Sequence, residues 1–118
     1  MTIVKQVLNP SRQRQIPEHF SWIDHRLVRE HFIERADVSA WALYLFLASV
    51  ADASGLSYYA EASLCRRLHL DPCQLARARR SLIELDLIAY DPPLYQVLAL
   101  PCVTPVAQRL HAVLANSR

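Results

Sequence analysis

Five arginines, Arg66, Arg67, Arg77, Arg79 and Arg80, share one stretch of chain whose only acid is Asp71. That stretch carries a net charge of +4, whereas the whole 118-residue chain carries +2. A guanidinium presents a planar fork of donors that matches two acceptors at once, either two oxygens of a phosphate or O6 and N7 of guanine. The chemistry on offer is therefore recognition of a polyanion or a base edge. A smaller basic group, Lys5, Arg12 and Arg14, precedes the first acid, Glu18. The competing use of these arginines is a solvated helix face paired with Glu61, Glu84 or Asp86.

Other chemistry finds little support. The chain has no GxSxG, no HExxH and no glycine-rich phosphate loop, and Gly55 is its only glycine. No acid, base and nucleophile constellation emerges, so neither an enzyme nor a cofactor or small-molecule ligand is expected. Cys65, His69 and Cys73 are evenly spaced, but the Leu70-Asp71-Pro72 break divides them between faces, and a structural zinc needs four ligands. No metal is expected there. Cys65 reads as core and Cys73 as a surface thiol. His19, His25 and His31 recur every six residues, which places them on no common helix face. Tyr58, Tyr59, Tyr90 and Tyr95 suit cross-strand packing better than base stacking, and Trp22 and Trp41 read as core anchors.

Length and composition fit one domain with a single core, since 53% of the residues are hydrophobic. The small net charge confines any polyanion surface to a local patch. The opening MTIVKQVL is too short and polar for a secretory signal. Asp52 ends the most apolar run, Trp41 to Ala51, before it could span a bilayer. Three cysteines, an odd number, then point to free thiols in a reducing cytoplasm and no membrane association.

The elements that must position the arginines follow from periodicity and caps. Residues 1–17 read as an extended arm, and 18–118 as one domain. Phe20, Ile23, Leu27, Val28 and Phe32 give a helical stripe that predicts a helix over 21–34, capped by Ser21. Residues 37–53 are apolar nearly all round, which predicts a central buried helix ending at Gly55. A short strand, Leu56-Ser57-Tyr58, leads into a helix over 60–69. Asp71-Pro72 is a cap followed by a residue favoured at the first helical position, so only a tight turn separates that helix from the next, over 72–86. On this last helix Leu75, Ala78, Leu82 and Leu85 face inward, while Gln74, Arg77, Arg80 and Ser81 face outward. Arg79 lies nearer the apolar edge, where it could pack its stem and pair with a carboxylate. Two β-prone runs, 87–90 and 95–100, flank Asp91-Pro92-Pro93-Leu94 and predict a hairpin. Thr104-Pro105 starts a final helix striped by Val106, Leu110, Val113 and Leu114.

GLSYY, SLCRRLHLDPCQLARARRSLIELDLIAY and PLYQVLAL, in that order, resemble the winged helix-turn-helix DNA-binding domains of small bacterial and mobile-element proteins, of replication-initiator or replisome-organiser type. The resemblance runs from about Asp37 to Leu100. It implies an α+β, mainly α architecture with a small three-stranded wing sheet, an extra N-terminal helix and a C-terminal helix. It also implies that helix 72–86 reads the major groove and that helix 60–69 supports it. The sequence departs from that pattern at the wing turn, DPPL, which has no Lys or Arg.

The expectation is thus a double-stranded DNA-binding protein that is not an enzyme, serving transcription regulation or replication, with Gln74, Arg77, Arg80 and Ser81 at base edges. Arg66, Arg67 and Arg79 would hold phosphates, and Arg12 and Arg14 would add contacts from the arm. A homodimer through the C-terminal helix would engage two half-sites. The uncharged wing supports an alternative, a winged-helix module that docks a replication or transposition partner.

Overall fold

Asp37 and Asp71 fix the starts of the two long helices. The Asp37 carboxylate accepts from the Ala40 amide at 3.0 Å and opens α2 (Val38–Val50). Asp71 accepts from the Gln74 amide at 2.8 Å while Gln74 Oε1 accepts from the Asp71 amide at 2.9 Å, a closed capping box ahead of α4 (Pro72–Glu84). The computed structural model describes residues 3–101. They form four helices and one three-stranded antiparallel sheet, an α+β arrangement that is mainly helical.

Between the long helices lie β1 (Leu56–Tyr58) and α3 (Glu61–Leu68), and after them β2 (Ile88–Asp91) and β3 (Leu94–Val97). β3 is central: it pairs with β1 through Ser57 opposite Tyr95, and with β2 through Tyr90 opposite Tyr95. Gly55 takes a φ of +84°, and its carbonyl accepts from the Val97 amide at 2.8 Å, so the turn before β1 is bound directly to the end of β3. α2 packs across α4 and also touches β3, while α3 packs on α4. One continuous core results, in which Leu43 and Leu47 of α2, Leu64 of α3, Leu75 and Leu82 of α4, Leu87 just before β2 and Tyr95 of β3 are fully buried.

The N-terminal third departs from the sequence expectation. In place of a helix over 21–34 there is a single turn, α1 (Arg26–Arg29), and a separate 3₁₀ turn at Ile33–Arg35. Asp24 is the reason for the late start: its side chain accepts from the Arg26 amide at 2.9 Å and its carboxylate pairs with the Arg26 guanidinium. That guanidinium holds the Asp24 carboxyl below its ordinary pKa. His31, with φ of +62°, then breaks the helix and turns Phe32 into the core. Of the expected stripe only Leu27 and Phe32 are buried. Phe20, Ile23 and Val28 are exposed, and Trp22, expected as a core anchor, is 73% exposed. The extended arm therefore runs past residue 17 to about residue 23, with one 3₁₀ turn at Pro10–Arg12.

α2 is not buried all round either. Ala40, Leu43, Tyr44 and Leu47 face the core, but Leu45 is 60% exposed and Val38 is exposed as well. Trp41 packs edge-on against Tyr44 and donates from Nε1 to the Ile33 carbonyl, which anchors the second 3₁₀ turn. The final helix expected from Thr104 lies outside the described residues, as does Cys102. Among the described residues no helix is long and apolar enough to cross a membrane.

Candidate nucleic-acid interface

The turn between α3 and α4 is as tight as the spacing demands. His69 ends α3 in a left-handed conformation, φ +56°, and the Leu70 amide returns to the Cys65 carbonyl at 3.1 Å. Asp71 already caps the next helix, so three residues reverse the chain. His69, midway between Cys65 and Cys73, is the residue that takes the left-handed position. Among the described residues no group of three or more His, Cys, Asp or Glu is arranged to hold a metal ion.

α4 buries Leu75, Ala78 and Leu82, which forces Cys73, Arg77, Arg80 and Glu84 onto its solvent face. Arg66 and Arg67 are exposed on α3, which packs against α4. Arg66, Arg77 and Arg80 make no ion pair or side-chain hydrogen bond among the described residues. Arg67 is exposed as a residue, and its guanidinium lies 5.8 Å from the Phe46 ring centroid, a cation–π contact at the edge of the arginine face. Cys65 is half-buried against the core and Cys73 is an exposed free thiol.

Two residues expected at base edges are only half-exposed. Gln74 spends its Oε1 on the capping box, so its amide NH2 is the group left to donate outward. Ser81 sits half-buried at the flank of the arginine row.

Arg79, expected to hold a phosphate, is instead engaged within the chain. Its side chain is 13% exposed: Nε donates to Tyr95 Oη at 3.1 Å, Nη2 pairs with Glu61, and the guanidinium lies 4.3 Å from the Tyr90 ring centroid. Burial opposes its charge, but the hydrogen bonds to Tyr95 and Glu61 outweigh this and raise its pKa. Burial also lifts the Tyr95 phenol above its ordinary value, against the pull of Arg79. Arg79 thereby ties α4 to the start of α3 and to two strands, and it pairs with Glu61, the one acid of α3. The sequence places Arg79 at an apolar edge. The register that sets Tyr90 beside Tyr95, with ring centroids 4.5 Å apart, has no local signature.

Arg79→Ala leaves the Tyr95 hydroxyl without its donor and Glu61 without its cation, and lowers unfolding free energy by about 2 kcal/mol. Urea denaturation measures it, and a midpoint equal to wild type would show that the cluster contributes nothing.

The remaining candidates are dispersed. Arg12 is exposed in the 3₁₀ turn of the arm. Arg14 lines a cleft with Glu18, Ile23 and Leu45, beside α2 and without any residue of α3 or α4. The β2–β3 hairpin turns through Pro92 and Pro93, both exposed, and no Lys or Arg occurs from residue 81 to 100. Arg66, Arg67, Arg77 and Arg80 are all exposed on α3 and α4, a surface suited to a broad ligand.

No family model, curated protein or solved structure matches this chain.

Proposed function

We propose that this chain is a winged helix-turn-helix protein of the cytoplasm that binds double-stranded DNA, with α4 in the major groove, α3 behind it and the β2–β3 hairpin as the wing. The observation that carries this reading is the set of four exposed arginines, Arg66, Arg67, Arg77 and Arg80, on two helices joined by a three-residue turn. Arg77 and Arg80 stand one turn apart on the solvent face of a helix whose first turn is locked by its capping box, a geometry that can present two forks to guanine edges or phosphates. Arg66 and Arg67 would hold the backbone alongside, with Gln74 and Ser81 contributing at the edges of the contact. Arg12 and Arg14 would add contacts from the arm. The role that suits such a module is transcriptional regulation or an accessory part in replication of a mobile element, without catalysis.

Counterion release gives the test. Each phosphate neutralised contributes about −0.9 to the slope of log affinity against log salt, so four arginines predict a slope of about −3 to −4 per copy. Fluorescence anisotropy with a labelled duplex reads it directly. A slope near zero, or no binding at low salt, would refute the reading.

One observation favours a second reading. The hairpin carries Asp91 as its only charge and exposes two prolines, which suits a protein partner better than phosphate. In this reading the winged helix docks a replication or transposition protein. Capture of a partner that survives nuclease treatment of the lysate would support it.

A further inference from the structure

The arm exposes more apolar surface than a solvated tail requires. Ile3, Val4, Val7, Leu8, Ile16, Phe20 and Trp22 all face solvent, Leu8 at 98%. Together they present on the order of 1,000 Å² of apolar side chain, comparable with the roughly 800 Å² each partner buries in a stable interface. Surface on this scale calls for a cover.

The same side of the molecule has a receiving surface. A cleft of about 420 Å³ lies between the root of the arm and the end of α2, walled by Phe20, Trp22, Tyr44, Ala48, Val97 and Ala99. A second cleft shares Phe20, Ser21 and Ala51 with it and extends to Ile23 and the exposed Leu45. The two form one trough along α2. Its acids, Asp52 and Glu18, outnumber its one arginine, Arg14, and oppose Lys5 and Arg12 farther out on an arm that has no acid before Glu18. The arm's own root forms one wall, and residues 3–8 stand away from the trough they lead to.

We propose that a second copy of this chain occupies this trough, the two arms being exchanged about a twofold axis so that Ile3, Val4, Val7 and Leu8 of each lie against Trp22 and Leu45 of the other. The contact joins identical surfaces and closes on itself, and it leaves α3 and α4 uncovered. It is independent of the DNA reading, and its test uses no nucleic acid.

Sedimentation velocity of the full chain across the micromolar range is expected to give a particle of twice 13.5 kDa. Val4→Ser with Leu8→Ser returns it to the single-chain mass with an unchanged circular dichroism spectrum, because neither side chain packs on the body of its own chain. In a Trp41→Phe background, Trp22 is the sole tryptophan, and its emission shifts to the blue as the dimer forms. A single-chain mass at the highest concentration overturns the proposal, including the case in which Trp22 is shielded because the arm folds onto its own trough. A dimer that persists in the double variant also overturns it, since the contact would then lie elsewhere.

Discussion

Replacing Arg77 and Arg80 together by alanine is expected to weaken duplex binding at least about tenfold while the protein stays folded. A well-placed arginine at a base edge or phosphate contributes about 1–3 kcal/mol, so the lower end of that range for two residues already exceeds tenfold. The fold is insulated from the change, because both side chains project from the solvent face of α4 and neither makes an ion pair among the described residues. Alanine is also the best helix former, so the backbone gains slightly if it changes at all. Gel shift and circular dichroism on the same preparation separate the outcomes. Unchanged affinity with an intact spectrum removes α4 as the reading helix. Arg66→Ala serves as the internal comparison: a phosphate contact should lower affinity evenly across sequences and reduce the salt slope by about 1.

The contrast with Arg79 shows how far sequence reasoning reaches. Arg77, Arg79 and Arg80 are chemically identical and lie within four residues, yet two are open and one is bound. Helical periodicity places Arg79 at the apolar edge, and that much is local. Its partners are Glu61, in the preceding helix, and Tyr90 and Tyr95, which meet only once β2 and β3 have found their register. Strand register depends on both chains of the hairpin and on the core beneath, so it has no local trace.

The same division runs through the fold. The Asp71-Pro72 cap, the α3–α4 turn, the strand after Gly55 and the hairpin around Pro92-Pro93 were all legible, because caps, prolines and a lone glycine act on their immediate neighbours. The helix expected over 21–34 was not found, although Phe20, Ile23 and Leu27 have helical spacing. Asp24 offers a better start three residues later than Ser21, and His31 adopts a left-handed turn that a histidine tolerates, so local hydrogen bonds outweighed the periodic stripe. The stripe itself was also a poor guide to burial: an apolar pattern records that surface needs covering, and in the arm the body of the same chain does not provide the cover.

Gly55→Ala should lower unfolding free energy by about 3–4 kcal/mol. Two costs combine. At φ +84° an L-residue is held in a conformation that disfavours any Cβ, a penalty of about 1–2 kcal/mol. The added carbon would also lie 2.5 Å from the Val97 carbonyl oxygen, closer than any real contact, and this neighbour is backbone and cannot rotate away. Relief requires β3 to move relative to the turn. The Gly55 carbonyl that binds the Val97 amide and the Ser57–Tyr95 pairing just beyond it would shift together, disturbing Tyr95, which is fully buried and holds Arg79. Ser54→Ala is the matched control: it adds no Cβ, leaves the Ser54 amide bonded to Asp52 and should change stability by no more than about 0.5 kcal/mol. Urea midpoints of the two variants compared with wild type decide the matter. If Gly55→Ala unfolds at the same concentration as Ser54→Ala, the turn does not take its left-handed form against β3, and the sheet that anchors Arg79 and braces α4 must be assembled differently.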